Sequence, residues 1–177
     1  MSLSDKYYPW AKILPRKIAV NAATLGILGR MKAPGTWGSA AGALLYLIFF
    51  SHLGFQAYLL FAALLIYAAM GICDSAEEHL KMRDPGCIVL DEFAAMQLCF
   101  LPLPVLAGNI TIWTVILGFL LFRFFDITKP FGIKKLQDIE GGAGCVLDDV
   151  AAALLTWVCL YAINAFEILS AASQKSS

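Results

Sequence analysis

Acidic residues in this sequence cluster beside glycines, hydroxyls and cations in a few short stretches, a combination suited to holding phosphate and a divalent cation. Asp91 and Glu92 are adjacent acids in D-P-G-C-I-V-L-D-E-F at 84–93, at the edge of an apolar run. Such a pair is expensive to desolvate without a cation or hydrogen-bond donors, and its oxygen ligands suit Mg²⁺. It would equally serve as a helix N-terminus whose acids oppose the dipole. A-P-G-T-W-G-S at 33–39 offers backbone N–H groups at a helix start, with hydroxyls on Thr36 and Ser39, which together favour an anion. Its plainer reading is a Pro-Gly turn with Ser39 as the cap, and Gly38 and Gly42 form a G-x-x-x-G that lets helices approach closely. Arg123, Asp126 and Lys129 in F-R-F-F-D-I-T-K-P fall at i, i+3 and i+6, on one helix face before Pro130 halts it. They are either phosphate-binding cations with a carboxylate or a salt-bridged ladder. Asp148 and Asp149 close G-G-A-G-C-V-L-D-D-V at 141–150 and precede a long apolar run, where they are either ligands or caps.

The elements that must position these residues are apolar. The chain has 177 residues, 60% of them hydrophobic and only 15% charged, with a mean hydropathy of +0.74. Soluble domains carry about 25% charged residues. A surface this poor in charge needs lipid or a partner over much of it, so the class expected is an integral membrane protein. Thirteen basic residues balance thirteen acidic ones without a basic tract, which argues against nucleic-acid binding. The five cysteines form no C-x-x-C pair and read as small buried hydrophobes, and the two histidines show no metal-ligand spacing. No secretory leader is apparent at the start, where Tyr7, Tyr8 and Trp10 suit a membrane interface.

Apolar segments run over 40–50, 57–73, 94–107, 110–125 and 150–169, and only the last is a clean twenty-residue run. A bilayer crossing needs roughly 20 residues, so the others are marginal or re-entrant. Two helical hairpins are expected, 38–73 and 94–125, with tips at 51–56 and 102–109 that hold no Lys, Arg, Asp or Glu. The remaining charged segments then share one side, which takes twelve of the thirteen basic and twelve of the thirteen acidic residues. The Lys/Arg bias makes that side cytoplasmic. The fold expected is all-α, a compact bundle of membrane-embedded helices with a polar cytoplasmic face. It is a single domain over 1–177 with a core at about 20–160 and a frayed tail over 170–177.

Several phosphatase chemistries are excluded. No cysteine has an arginine six positions later, no D-x-D pair exists, the histidines are too few for a histidine nucleophile, and D-G-x-x-A-R is absent. The four quoted stretches, in this order and spacing, resemble the phosphatidylglycerophosphatase A family over about residues 20–160. Departures from the family pattern include Ala94-Ala95 after D-E-F, Gly132 in place of a proline, Ala153 after D-D, and Arg30-Met31 ahead of the first stretch.

The resemblance implies a Mg²⁺-dependent, all-helical enzyme of the cytoplasmic membrane. It would remove the terminal phosphate of phosphatidylglycerophosphate to give phosphatidylglycerol, acting on a phospholipid among membrane lipids. On that reading Asp84, Asp91, Asp126, Asp148 and Asp149 are the metal candidates, and Asp91, Glu92, Asp126 and Lys129 the catalytic ones. Gly35, Thr36, Gly38, Ser39 and Arg123 would bind phosphate. Two rivals remain: a phosphatase for another lipid phosphate, and a non-enzymatic membrane carrier or scaffold whose charges are interfacial anchors. Oligomeric state is not legible.

Overall fold

The computed structural model describes residues 7–101, 110–139 and 141–176, with side chains as far as Phe166. The expected tip at 102–109 lies outside these residues. Every regular element among them is helical. Helix α1 (Arg16–Ala23) follows Pro15 and packs on a long helix later in the chain. Helix α2 (Pro34–Ile48) starts at Pro34, where the missing N–H is no loss, after Ala33 adopts a left-handed φ of 53°. Ser39 is therefore inside the helix rather than its cap, and its hydroxyl donates to the Gly35 carbonyl at 2.8 Å.

A turn at Phe50–His52 leads into α3 (Phe55–Leu80), whose Tyr58 ring meets Tyr46 of α2 at 6.4 Å, while each of the two helices packs mainly on other elements rather than along the other as the first expected hairpin would. Helix α4 (Leu90–Ala95) is short and continues as a 3-10 turn over Met96–Phe100. Helix α5 (Ile112–Thr128) is capped by Thr111, whose hydroxyl accepts from the Thr114 N–H, and it ends at Lys129 and Pro130. Helix α6 (Gly142–Ser176) begins well before the apolar run at 150, so Asp148 and Asp149 lie within it and cap nothing. Its backbone stays helical through Ser176, across most of the segment read as a frayed tail.

Length sorts these helices. Among the described residues, α3, with 26 residues, and α6, over Gly142–Phe166, are the helices long and apolar enough to cross a membrane. Helix α2 has 15 residues and α5 has 17, short of the roughly 20 that a perpendicular span requires. Of the first limb of the second expected hairpin, the described part is the six-residue α4 and the 3-10 turn after it, and 102–107 lie outside the described residues. Aromatic packing holds the shorter elements to the long ones. Tyr46, Phe50, Tyr58, Phe100, Phe122 and Leu160 are buried together, with the Tyr46 and Phe100 ring centroids 4.2 Å apart. Other apolar side chains point outward. Leu44, Leu60, Trp113, Leu120, Val158 and Phe166 are each more than half exposed, a coat that lipid would cover.

The polar ends converge. Helices α2, α4 and α6 begin, and α3 and α5 end, at the same end of the bundle. Contacts between Arg123 and Ser39, Lys129 and Asp148, and the Gly142 N–H and Asp74 tie that end together.

Candidate active site

Close approach of α2 and α4 builds the floor of the site. A Cβ at Gly38 would lie 2.8 Å from Val89, and one at Gly42 would lie 2.7 Å from the Phe93 carbonyl. A Cβ at Gly35 would overlap Glu92 Oε1 and come within 3.1 Å of Arg123 Nη1. These glycines let the first turn of α4 sit against α2, the packing role that a G-x-x-x-G can serve. That contact brings Asp91 and Glu92 under the start of α2. The Thr36 N–H already donates to Ala33 at 3.0 Å, so not every amide of that turn is open to an anion.

Helix α5 delivers the cations. Arg123 Nη1 donates to Asp126 Oδ2 at 2.7 Å and to Ser39 Oγ at 3.3 Å, and lies 3.7 Å from Glu92 Oε1. Lys129, turned inward by its left-handed backbone at φ 43°, lies 3.7 Å from Asp126 Oδ1 and pairs directly with Asp148. The predicted ladder thus exists, and it extends beyond its own helix to carboxylates on α4 and α6. Helix α6 contributes Asp148 and Asp149, which are 3% and 4% exposed.

The cluster carries more negative charge than its cations offset. Among the described residues, the cations paired with Asp84, Asp91, Glu92, Asp126, Asp148 and Asp149 are Arg123 and Lys129. Each unneutralised buried carboxylate costs several kcal/mol, against a total folding stability of about 5–15 kcal/mol. Apart from the exposed Asp84, these acids therefore cannot all remain ionised on the strength of two cations; protons or a bound cation must make up the difference. Burial, reinforced by Asp91 and Asp126, raises the Glu92 carboxyl well above its ordinary range despite Arg123. At Lys129 burial acts to lower the ammonium pKa, but Asp148, Asp126 and Asp149 outweigh it and hold the charge on.

Two overlapping groups could hold a metal ion. Ligand atoms of Asp91, Glu92 and Asp149 lie within 4.8 Å of one another, as do those of Asp84, Asp91 and Cys145. Asp91 belongs to both. Glu92 Oε2 and Asp148 Oδ1 are buried without a hydrogen-bond partner, which is how carboxylate oxygens await a cation. The first group is all oxygen and fits a hard divalent ion; the second adds a softer thiol.

The predicted site residues therefore come together, though not equally. Asp91, Glu92, Asp126, Lys129, Arg123, Ser39, Asp148 and Asp149 form one connected cluster. Asp84 stands at its exposed edge, where Gln137 Nε2 donates to it at 2.9 Å. Gly35 and Gly38 support the cluster by their lack of side chains, and Thr36 is half-buried beside it.

Sequence reasoning missed Cys145. It is buried as expected of a small hydrophobe, but its thiol donates to Asp91 Oδ2 at 2.8 Å. Its spacing of three and four before Asp148 and Asp149, which puts all three on one helix face, was the available signal. Asp74, accepting from the Gly142 N–H at 3.1 Å, and Glu77, accepting from the Asp84 N–H at 2.6 Å, were also missed; they fasten the surrounding loops to α3.

Known proteins resemble this chain over most of its length. A Haemophilus influenzae phosphatidylglycerophosphatase A is 40% identical over 133 residues, covering 75% of this chain and 79% of that protein. The Escherichia coli phosphatidylglycerophosphatase A is 34% identical over 132 residues, or 74% of each chain. A Bacteroides thetaiotaomicron protein, named provisionally a phosphatidylinositol-3-phosphatase, is 32% identical over 134 residues, covering 71% of this chain and 80% of that one. No solved structure matches the chain significantly. The sequence pattern of the phosphatidylglycerophosphatase A family matches residues 21–164, from within α1 to within α6, and the chain belongs to that family of phosphatases.

Proposed function

We propose that this enzyme hydrolyses the terminal phosphate of phosphatidylglycerophosphate to give phosphatidylglycerol, using Mg²⁺. The observation that carries this reading is the excess of buried carboxylates centred on Asp91, beside two cations, at one end of an apolar bundle. A site for phosphate hydrolysis needs both signs of charge, and a lipid substrate needs them at a membrane boundary.

Asp91, Glu92 and Asp149 would hold the ion, with Asp126, Asp148 and Asp84 around them. When bound, Mg²⁺ supplies charge neutralisation for the phosphoryl oxygens and acidifies a water. Arg123 and Lys129 bind the remaining phosphate charge, the guanidinium by a planar fork and the ammonium as a point charge. Asp126 contacts both cations, 2.7 Å from Arg123 and 3.7 Å from Lys129, and so keeps them oriented between substrates. Ser39, already accepting from Arg123, and the amide of Gly35 line the side where the phosphate would enter, with Thr36 and Gly38 beside them. A desolvated, preorganised charge array of this kind acts most strongly where charge develops in the transition state.

The charged end of the bundle is the cytoplasmic face on this reading, with α3 and α6 spanning the inner membrane and the shorter helices packed against them. Cysteines introduced at residues 53 and 80 of a cysteine-free variant should label from opposite sides of the membrane. Labelling of both from one side would remove this topology.

Phosphate release from phosphatidylglycerophosphate in mixed micelles tests the function. Release should require Mg²⁺, stop with EDTA, and disappear in Asp91→Asn. No release from a folded preparation would overturn it. A second reading, hydrolysis of another lipid phosphate, is favoured by the name of the Bacteroides relative. Competition between phosphatidylglycerophosphate and phosphatidylinositol 3-phosphate distinguishes the two.

A further inference from the structure

A groove of about 280 Å³ runs between α2 and α5, lined by apolar side chains that include Ala40, Ala43, Leu47 and Val115. It is floored by small residues on α2, while Leu44, Ile112 and Ile116 form open rims that are 55%, 53% and 42% exposed. One end abuts the charged cluster. Ala40 follows Ser39, and Phe119 stands one turn before Arg123, whose guanidinium donates to Ser39. From Ala40 the lined stretch follows α2 for two turns to Leu47, about 10 Å.

We propose that this groove seats the proximal part of one acyl chain of the lipid phosphate, delivering its headgroup to Arg123; this rests on the lipid-phosphatase reading above. Two observations identify the occupant. The groove is apolar along its length and cationic where it meets the site, which matches a molecule with an apolar tail and a terminal phosphate. Ser39 and Arg123 also lie one helical turn beyond the lining residues Ala43 and Phe119, so a chain lying in the groove has its headgroup end toward them. Membrane lipid tails are as apolar as the groove, so the groove adds little affinity of its own. Its contribution is orientation, which governs how often the phosphate lies over the carboxylates.

The test uses the full chain in phosphatidylcholine nanodiscs with a phosphatidylglycerophosphate analogue bearing a diazirine partway along one acyl chain. After photolysis, labels should concentrate at 40–47 and 112–119 relative to Leu59, Leu60 and Leu64, comparably exposed side chains on α3. A diazirine phosphatidylcholine, which has no terminal phosphate, should label both regions alike. Ala43→Phe, and Ile116→Trp from the exposed rim, should each cut groove labelling about fivefold. They should lower kcat on the long-chain substrate by a similar factor and change turnover of the deacylated headgroup, glycerophosphoglycerophosphate, by less than about twofold. Even labelling of both regions, or groove labelling independent of the phosphate, overturns the proposal. Phosphate release in unphotolysed samples separates the two readings. Selective labelling without hydrolysis keeps the groove and overturns the phosphatase reading, whereas hydrolysis with even labelling overturns the groove alone.

Discussion

The two ends of the bundle are built on opposite terms. Around Tyr46, Phe50, Tyr58 and Phe100 the rings interlock, and the buried Gln97 amide donates to the Gly42 and Phe93 carbonyls at 2.9 and 3.1 Å. Around Asp91 the charges are mismatched, and Glu92 Oε2, Asp148 Oδ1 and Arg123 Nε are buried without partners. At the apolar end the unpartnered buried atoms are neutral, the Tyr46 hydroxyl and Gln97 Oε1, and cost far less than unpaired charge. The charged end is destabilised when empty, a common feature of sites that must bind charge later. Substitutions at the two ends should therefore have opposite signatures.

The largest expected effect is at the apolar end. Phe100→Ala empties space beside Gly118 and Tyr46 and should cost about 3–5 kcal/mol of stability. Turnover per folded molecule should change little; thermal melts and specific activity of the surviving fraction check this. Next comes Asp149→Asn, which should lower Mg²⁺-dependent turnover by roughly 10²–10³, or about 3–4 kcal/mol at the transition state. Because it removes one excess buried charge, the metal-free protein should melt higher than the parent, not lower. A lower melting temperature in EDTA would contradict the charge mismatch itself.

Between the two ends, Gly38→Ala should lose about 1–3 kcal/mol, since its new Cβ meets Val89 at 2.8 Å. It should also reduce activity by displacing Glu92, and a denaturant midpoint measured beside kcat separates the two losses. The smallest effect is on pH dependence. The folded metal-free chain holds a proton on Glu92 above its ordinary pKa of 4.5. Relative to the unfolded chain, that raised acid favours folding most below 4.5, and the advantage falls as pH rises toward the elevated value. Mg²⁺ must displace the proton, so metal affinity should weaken by up to about tenfold per pH unit as pH falls through that range. Mg²⁺ titrations at several pH values would show it; a pH-independent affinity would mean Glu92 is no ligand.

Much of the site was legible from residue types alone. Buried acids beside glycines and cations are too costly to gather without a use, and their order along the chain was enough to suggest the family. The helical class followed from long apolar runs with charges confined between them. Local reasoning failed at helix boundaries. Pro34, rather than Ser39, starts α2, and Gly142 starts α6 ahead of its two aspartates, because backbone geometry and tertiary contacts set those ends. The apolar run from residue 94 could not reveal that its described part, through Phe100, is the end of a short helix and a 3-10 turn, since apolarity does not fix the type of element.

The sequence by itself determined which residues are charged, which stretches must avoid water, and the chemistry that such acids and cations can support. Only the tertiary structure decided that Arg123 reaches Ser39 and Lys129 reaches Asp148, that Asp91 belongs to two ligand groups, and that Cys145 donates to it. Those relations connect residues up to 84 positions apart, as between Ser39 and Arg123. They are set by how closely glycine-faced helices pack, a distance that no local pattern in the chain encodes.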